Sequence, residues 1–416
     1  MSTRGQAQPG SRFRPMTAAG PGVRRQARSI RNDERILEAA CAITADDGWA
    51  GLLPARVAEA AGLSHPAVSA RFANRSEIAA GVWRDRLAGE VIAKLAAVLD
   101  SGGLLTPGGP DPRVMANAMS AFIRPDQAMC AAAELLVMSN FDADVRRAVQ
   151  DTLGASLTAW LTPSPRRVSR AQAARRSFLV ITALGSLLEV RRQVGARLDL
   201  RTEWDRICAA LASPDSIHTL PHVHFEHWDG VFDFDTGDAL LDRLLEATRD
   251  EIGRHGYEAT TVDGIARAAG RTKGLVFSRY PSKRQLFNDT VTRYARGMYD
   301  LNEQAWKQMQ ETMSAGIGEA VLYREFMRPG RERLRAFALE QYRLSWHDAE
   351  MRESISHAMS DVIATRLAAE PTRSRKEMQA DIFISAAQGI GVLLVADCCP
   401  SAWELPYQHV TEPLNS

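Results

Sequence analysis

The stretch of sequence that decides the fold runs from residue 261 to residue 287 and reads TVDGIARAAGRTKGLVFSRYPSKRQLF. A related stretch, PARVAEAAGLSHPAVSARFANRSEI, occupies residues 54–78. A shift of 208 positions (243 minus 35) aligns residues 35–78 with residues 243–286 without a gap, and 11 of the 44 pairs are identical. A repeat of this length indicates a duplicated domain rather than the short unit of a solenoid.

Each copy predicts two short helices joined by a tight turn. In the second copy, Thr260 or Thr261 caps the first of these helices. Gly270 makes the turn, and Thr272 caps a second helix that ends near Tyr280. Two short helices joined by a glycine-containing turn of three or four residues form a helix-turn-helix, whose second helix can lie in the major groove of DNA.

A wider set of residues in the second copy resembles the amino-terminal domain of the TetR/AcrR family of transcriptional regulators. The residues that carry this resemblance are Gly256, Thr261, Ile265, Ala266, Ala269, Gly270, Phe277, Tyr280, Pro281, Ser282, Lys283 and Leu286. The resemblance implies a helix-turn-helix head on an all-helical body that binds a small effector. It also implies that bodies pair through a four-helix bundle and that the effector changes the spacing of two heads.

We therefore predict an all-α chain made of two tandem TetR-like units. The predicted segments are a disordered basic arm (1–30), a first head (31–78), a first body (79–213), a linker (214–238), a second head (239–287) and a second body (288–416). The stretch from Arg4 to Arg31, which includes most of the arm, has seven arginines and no acidic residue. It is either a solvated tail or a segment that contacts phosphates or a minor groove.

The predicted DNA contacts lie on and around the second helix of each motif, because a recognition helix directs exposed side chains at base edges and flanking ones at phosphates. In the second head they are Arg271, Thr272, Lys273, Phe277 and Ser278, with Thr261, Arg279 and Lys283 on the DNA backbone. In the first head they are His65, Ala67, Ser69 and Ala70, with Arg71 and Arg75 on the DNA backbone. Since the two sets differ, the operator should have unlike half-sites.

The first head departs from the pattern of the second at two positions. Leu53 stands where the second head has Thr261, so the capping hydroxyl is missing. Ser69 stands where the second head has Phe277, which the resemblance places against the DNA backbone. Two interpretations follow: the first head reads DNA differently, or it has lost DNA binding.

The bodies read as amphipathic helices that could enclose an effector pocket. Candidate lining residues are Met115, Met119, Phe122, Met129 and Phe178 in the first body and Trp306, Tyr323, Phe326 and Trp346 in the second. Apolar residues at helical spacing can equally be ordinary core. Two glycine-bearing segments, VITALGSLLEV (180–190) and SAAQGIGVLLV (385–395), suit close helix packing at an interface.

The linker raises the question of a metal site, because imidazoles and carboxylates can bind zinc or nickel. Its candidate ligands are His218, His222, His224, Glu226, His227 and Asp229. Their spacing matches no closed metal site, and the accompanying Pro and Asp residues are typical of a solvated or packed linker. We predict no metal and no cofactor.

Composition narrows the function classes. The net charge of +1 means that affinity for DNA must come from local basic patches. Five cysteines without metal-finger spacing fit a reducing cytoplasm, and the absence of a long uncharged apolar run argues against a membrane span. The sequence has no phosphate-binding glycine loop and no nucleophile elbow, so we predict that the chain is not an enzyme.

The sequence thus favours a cytoplasmic, ligand-responsive repressor whose two halves form an intrachain pseudo-dimer on double-stranded DNA. Two alternatives stay open. Full chains could pair as a homodimer with four heads. The chain could also be a sensor or scaffold of the TetR fold that acts through protein partners and has one inactive head.

Overall fold

The computed structural model describes residues 21–164, 166, 168–193, 198–213, 217–223, 232–353, 356 and 374–408. These residues are mainly helical, which confirms the predicted all-α class. The exception is a pair of two-residue strands, in which β1 (Ile217–His218) pairs antiparallel with β2 (Tyr407–Gln408). This pair joins the linker to the end of the second body.

The described helices follow one another in two comparable sets. Those of the first half are α1 (Pro21–Gly51), α2 (Pro54–Ala60), α3 (His65–Ser69), α4 (Arg75–Val82), α5 (Ala88–Ser101), α6 (Pro112–Ile123), α7 (Gln127–Met138), α8 (Ala143–Val149), α9 (Ala155–Leu161), α10 (Arg170–Arg192) and α11 (Arg201–Ala212). Wider helical turns over Trp83–Leu87 and Gln150–Gly154 join α4 to α5 and α8 to α9. Those of the second half are α12 (Ala239–Ala259), α13 (Val262–Ala268), α14 (Lys273–Arg279), α15 (Lys283–Gln310), α16 (Ala315–Met327), α17 (Glu332–His347) and α18 (Arg375–Cys398), with a 3-10 turn over Pro400–Glu404.

The start of α1 differs from the prediction of a disordered arm. The helix begins at Pro21, so residues 21–30 of the predicted arm have helical backbone. Proline suits a first helical turn, and the Arg, Gln and Ala residues that follow are favourable helix formers. Residues 1–20 lie outside the described residues.

The two heads have glycines with the same backbone conformation at equivalent positions. Gly48 and Gly256 interrupt α1 and α12 with φ values of 66° and 75°. Gly62 and Gly270 make the turns of the two helix-turn-helix motifs with φ values of 60° and 66°. Glycine adopts this left-handed region without the steric cost that other residues incur. The positive-φ glycines of the first motif therefore recur in the second motif, 208 residues later.

The two heads also bury equivalent side chains. These pairs are Leu37 and Leu245, Val57 and Ile265, Ala58 and Ala266, Ala61 and Ala269, and Val68 and Val276. The small alanine side chains let the helices cross closely. Each head is thus a small three-helix core that holds α3 or α14 at its surface.

The bodies repeat local hydrogen bonds at a slightly different separation, 206 positions (348 minus 142). Asp142 caps α8 by accepting backbone N–H groups with Oδ1, and Asp348 does the same for the helical turn over 349–353. Four residues later, the guanidinium groups of Arg146 and Arg352 donate to carbonyl oxygens at the end of the preceding helix. Similarity between the halves therefore extends beyond the heads.

The two halves meet where α10 crosses α18. A Cβ atom built on Gly185 would overlap the carbonyl oxygen of Ala387, and one built on Gly391 would overlap the carbonyl oxygen of Ile181. Under the 206-residue shift, Gly185 is equivalent to Gly391 and Ile181 is equivalent to Ala387. The shift therefore maps each of the two contacts onto the other. This reciprocity is the contact pattern of a two-fold interface.

A hydrogen bond lies at the centre of this crossing. Gln388 Nε2 donates to Thr182 Oγ1 at 3.3 Å, and the two residues are themselves 206 positions apart. Thr182 on α10 therefore meets its own counterpart on α18 at this point. The glycine-bearing segments that the sequence assigned to an interface pack against each other.

Helix α18 is long and apolar enough to cross a membrane by length and composition, with a mean hydropathy of 1.6 over its most apolar window. It is the one helix in the described part of the chain with this property. More than half of that window is buried against the rest of the protein, and α18 packs on α10, α16 and α17. Here it is a core helix.

Adding a methyl group at residue 391 tests the close crossing. We expect Gly391→Ala to lower the free energy of unfolding by about 1–3 kcal/mol, because the new Cβ pushes α18 off the backbone of α10. Urea unfolding measures the change. The control is Gly89→Ala in α5, where a Cβ meets nothing within 4 Å and alanine should be neutral or stabilising. Wild-type stability of Gly391→Ala would contradict the crossing.

Candidate nucleic-acid interface

The second head holds its recognition helix with two capping hydroxyls. Thr261 Oγ1 accepts the N–H of Gly264 at 3.0 Å at the start of α13, and Thr272 Oγ1 accepts the N–H of Leu275 at 3.4 Å at the start of α14. Of the two threonines predicted as alternatives, Thr261 is the cap, because Thr260 Oγ1 donates to carbonyl oxygens of α12. Both short helices begin where the sequence predicts.

The predicted base-contacting residues of the second head lie at the surface of the protein. The side chains of Arg271, Thr272, Lys273, Phe277 and Ser278 are all exposed on and before α14. Phe277 is 43% exposed, although it is a large apolar residue. Lys273 Nζ lies 5.7 Å from the centre of its ring. An exposed aromatic ring beside an ammonium group suits a surface that packs against sugar and phosphate.

The flanking arginines already have acidic partners in or directly next to their own heads. Arg279 Nη1 lies 2.7 Å from Asp238 Oδ2, and Arg71 pairs through Nε with Asp33. Ion pairs this close to solvent contribute little to stability, so each arginine can exchange its carboxylate for a phosphate at low cost. Their contact with DNA stays a prediction.

Lys283 and Arg75, the predicted phosphate contacts at the start of α15 and α4, also have roles inside their heads. Lys283 Nζ donates to the carbonyl oxygens of Tyr257 and Thr260 at 2.7 and 2.9 Å and lies 4.1 Å from the Tyr257 ring centre. Arg75 Nη1 donates to the carbonyl oxygen of Trp49 at 3.3 Å, and its Cζ lies 4.4 Å from that ring. Burial lowers the pKa of both cations. Each cation therefore fixes the glycine kink of its head.

The first head presents a smaller and less charged reading surface. Helix α3 has five residues, and Ser69 Oγ lies within 3.5 Å of His65 Nδ1. Ala67 is half-buried and Ala70 is exposed. The cap position Leu53 makes no side-chain hydrogen bond to α2, as the missing hydroxyl predicts. The surface of this helix therefore offers less to a base edge than that of α14.

The sequence pattern alone does not predict the buried ionic cluster that lies where α7 meets α17, named here the inter-head cluster. Its members are Glu134, Glu258, Glu340, Arg343 and His347. Arg343 donates to Glu340, Glu134 and Glu258, with a distance of 2.7 Å to each. His347 Nε2 lies 3.3 Å from Glu134 Oε2. The available signal was a lone glutamate within the apolar run AAAELLVM (131–138).

Two carboxylates of the inter-head cluster hold the two heads. Glu134 Oε1 accepts the N–H of Trp49 at 2.7 Å, and Glu340 Oε1 accepts the N–H of Tyr257 at 2.7 Å. Burial by itself raises the pKa of Glu134, but Arg343 and the other donors outweigh it and bring that pKa to about 2. Burial and the neighbouring Glu258 raise the pKa of Glu340. One guanidinium thus serves three carboxylates.

The predicted effector-pocket residues are mostly core. Met115, Met119, Phe122 and Met129 are fully buried in the first body. Phe178 and Tyr323 line a shallow recess between the halves, together with Arg324 and Trp403. Trp346 is also buried, and its Nε1 donates to Leu188. Phe326 is half-buried, and the side chain of Trp306 lies outside the described residues.

The candidate metal ligands of the linker fall largely outside the described residues. This holds for His224, Glu226, His227 and Asp229 and for the side chain of His218. Within the described ranges, no group of three or more His, Cys, Asp or Glu residues could hold a metal ion. The described linker instead packs on the second body, where Arg324 donates to the carbonyl oxygens of Leu220 and Pro221.

An exposed, capped recognition helix on a three-helix core defines a DNA-binding domain of the helix-turn-helix class. Residues 244–290 match the family described as "Bacterial regulatory proteins, tetR family". The match spans α13 and α14 with parts of α12 and α15, and it supports the TetR family and the function of a DNA-binding transcriptional regulator. No curated protein matches the chain.

Replacing Glu134 tests the charge of the inter-head cluster. Since the pKa of Glu134 falls from 4.5 to about 2 on folding, its carboxylate stabilises the protein fully above pH 4.5, and this contribution is lost as the pH falls towards 2. We expect Glu134→Gln to lower the free energy of unfolding by about 2–3 kcal/mol at pH 7 and by much less near pH 3, measured by urea unfolding.

The control is Glu90→Gln, which removes an exposed partner of Lys94 at 2.6 Å. This change should cost at most about 0.5 kcal/mol at pH 7, because exposed pairs within a helix are weak. A loss for Glu134→Gln that is the same at every pH would contradict the assignment.

Proposed function

We propose that the chain is a sequence-specific transcriptional repressor whose two heads bind one operator as an intrachain pseudo-dimer. The observation that carries the proposal is the exposed face of α14, with Lys273 and Phe277 side by side, on a head that matches the TetR family. The reciprocal contacts of Gly185 and Gly391 support the pairing of the two halves within one chain. Paired heads of this kind reach successive major grooves about 34 Å apart.

We propose further that the two half-sites of the operator differ. Lys273 suits the acceptor atoms of a guanine edge, whereas His65 stands at the equivalent position in the first head. Phe277 and Ser69 also occupy equivalent positions in the two heads and differ in size and polarity. An operator read by unlike helices has no reason to be a palindrome.

Control by a ligand would act through the spacing of the heads. A small molecule shifts the equilibrium only if it binds better to the arrangement that misfits the operator. The recess lined by Phe178 and Tyr323 lies between the two halves, so a ligand there would act on their relative position. This control, a cytoplasmic location and the absence of catalysis are parts of the same proposal.

Selection of bound fragments from genomic DNA by the full chain tests the proposal. Two unlike half-sites at one fixed spacing would support it, and the mass of the complex would separate one chain from two chains with four heads. A single half-site would favour an inactive first head, consistent with the small surface of α3. No enrichment of any sequence would contradict DNA recognition.

The contribution of Lys273 can be measured on the selected operator. We expect Lys273→Ala to weaken binding by about 1–3 kcal/mol and to relax the base preference in its half-site. Fluorescence anisotropy at several salt concentrations measures both affinity and salt dependence. The matched control is Lys376→Ala, which removes an exposed lysine of the second body. Equal effects of the two changes would contradict the assignment of α14.

A further inference from the structure

We propose that Arg343 is a positioning residue that fixes the placement of the two heads relative to each other. This inference rests on the proposed function, because its consequence is the operator spacing that the chain prefers. Arg343 is buried, and its guanidinium donates to Glu134 of the first half and to Glu340 and Glu258 of the second. It therefore joins the two halves at the inter-head cluster.

On the side of the first head, a continuous set of polar contacts leads from Arg343 to the start of α4. Arg343 Nη1 donates to Glu134, which accepts the N–H of Trp49. The carbonyl oxygen and ring of Trp49 hold Arg75. Arg75 is a predicted phosphate contact, so the set of contacts ends at the DNA-binding surface.

On the side of the second head, the same set of contacts recurs. Arg343 Nε donates to Glu340, which accepts the N–H of Tyr257. The carbonyl oxygen and ring of Tyr257 hold Lys283. Both heads are therefore tied to one guanidinium through the residue that follows the glycine kink.

The glycine kink of each head also packs against a residue of the other half. Gly48 of the first head lies against His347, and Gly256 of the second head lies against Phe141. Phe141 and His347 are equivalent under the 206-residue shift. Movement of one half against the other would therefore displace both kinks, and the inter-head cluster stands at that junction.

Arg343 has no counterpart in the first half. The equivalent position is Val137, which is buried, and the position equivalent to Glu258 is Ala50. The equivalent carboxylates Glu134 and Glu340 thus share a single guanidinium. The nearby cations Arg75 and Lys283 are influenced by Glu258 as well, but their hydrogen bonds are to backbone carbonyls.

Lysine cannot reproduce this geometry. The guanidinium is a rigid planar fork with five donors, whereas an ammonium is a point charge on a flexible stem. Arg343→Lys keeps the charge of the inter-head cluster but cannot hold three carboxylates in one arrangement. We expect the heads to stay folded and their relative placement to loosen.

The matched control is Arg335→Lys. Arg335 is also a buried arginine of α17 and also pairs with a carboxylate, Asp397, at 2.6 Å. Its described hydrogen bonds reach Asp397 and the carbonyl oxygens of Phe326 and Arg328, all within the second body. Loss of fork geometry there should not alter the placement of the heads.

The first experiment measures the distance between the heads without DNA. Spin labels are attached at Ala70→Cys and Ser278→Cys, which are equivalent exposed positions, in a background without native cysteines. Pulsed electron spin resonance should give a narrow distance distribution for the wild-type background and for Arg335→Lys. It should give a broadened or shifted one for Arg343→Lys.

The second experiment measures binding to the selected operator, to versions with base pairs inserted or removed between the half-sites, and to a single half-site. The wild type should prefer one spacing by about tenfold or more, and Arg343→Lys should lose most of that preference with little change at the single half-site. If Arg343→Lys is poorly folded by thermal unfolding, the double variant Arg343→Gln with Glu134→Gln removes one charge of each sign and should show the same loss.

Three outcomes would overturn the inference. One is a wild-type distance distribution and spacing preference in both variants. Another is an equal loss at the operator and at the single half-site, which would mean a structural role only. The third is a similar loss of spacing preference in Arg335→Lys. A wild-type chain that binds no DNA would instead defeat the proposed function, while the distance measurement would still test Arg343.

Discussion

The structure depends on one steric constraint, the backbone contact between α10 and α18. Gly185 and Gly391 lie against carbonyl oxygens of the facing helix, where any side chain would overlap them. Close packing of this kind stabilises an interface through many small contacts and tolerates little added volume. It sets the two halves at one distance, and Thr182 and Gln388 then meet across the centre of the crossing. The crossing thereby brings α7 and α17 of the two halves together, where the inter-head cluster contacts both heads.

The two halves have glycines and buried side chains at equivalent positions but differ at the residues proposed to contact DNA. Both heads keep the glycine kink, the glycine turn and the small buried alanines, because these maintain the helix-turn-helix itself. The reading surfaces differ, with Lys273 and Phe277 on α14 and His65 and Ser69 on α3. A homodimer must present the same helix twice, whereas a chain with two unlike heads can specialise each one. The proposed asymmetric operator and the single Arg343 are both possible because the two halves belong to one chain and need not have identical sequences.

Much of the fold could be predicted from the sequence, because caps, turns and buried positions are set by neighbouring residues. Thr261 and Thr272 begin their helices where the spacing predicts, and Gly270 makes the predicted turn with a positive φ. The internal role of Lys283 could not be predicted, since the carbonyl groups it contacts lie more than 20 residues earlier in the chain. Among the partners of Arg343, Glu340 is three residues away, but Glu258 lies 85 residues earlier and Glu134 lies 209 residues earlier, in the first half. The contact with Glu134 can be predicted only if the way in which the two halves cross is known, and local sequence patterns do not define that crossing.

The most direct test of the account is a cross-linking measurement at the centre of the crossing. Cysteines replace Thr182 and Gln388 in a background without native cysteines, and a short thiol-reactive linker is added at low protein concentration. The account predicts efficient linkage within a single chain of 45.7 kDa, identified by mass spectrometry of the joined peptides. Linkage found only between two chains, or no linkage at all, would contradict the pairing of the two halves within one polypeptide.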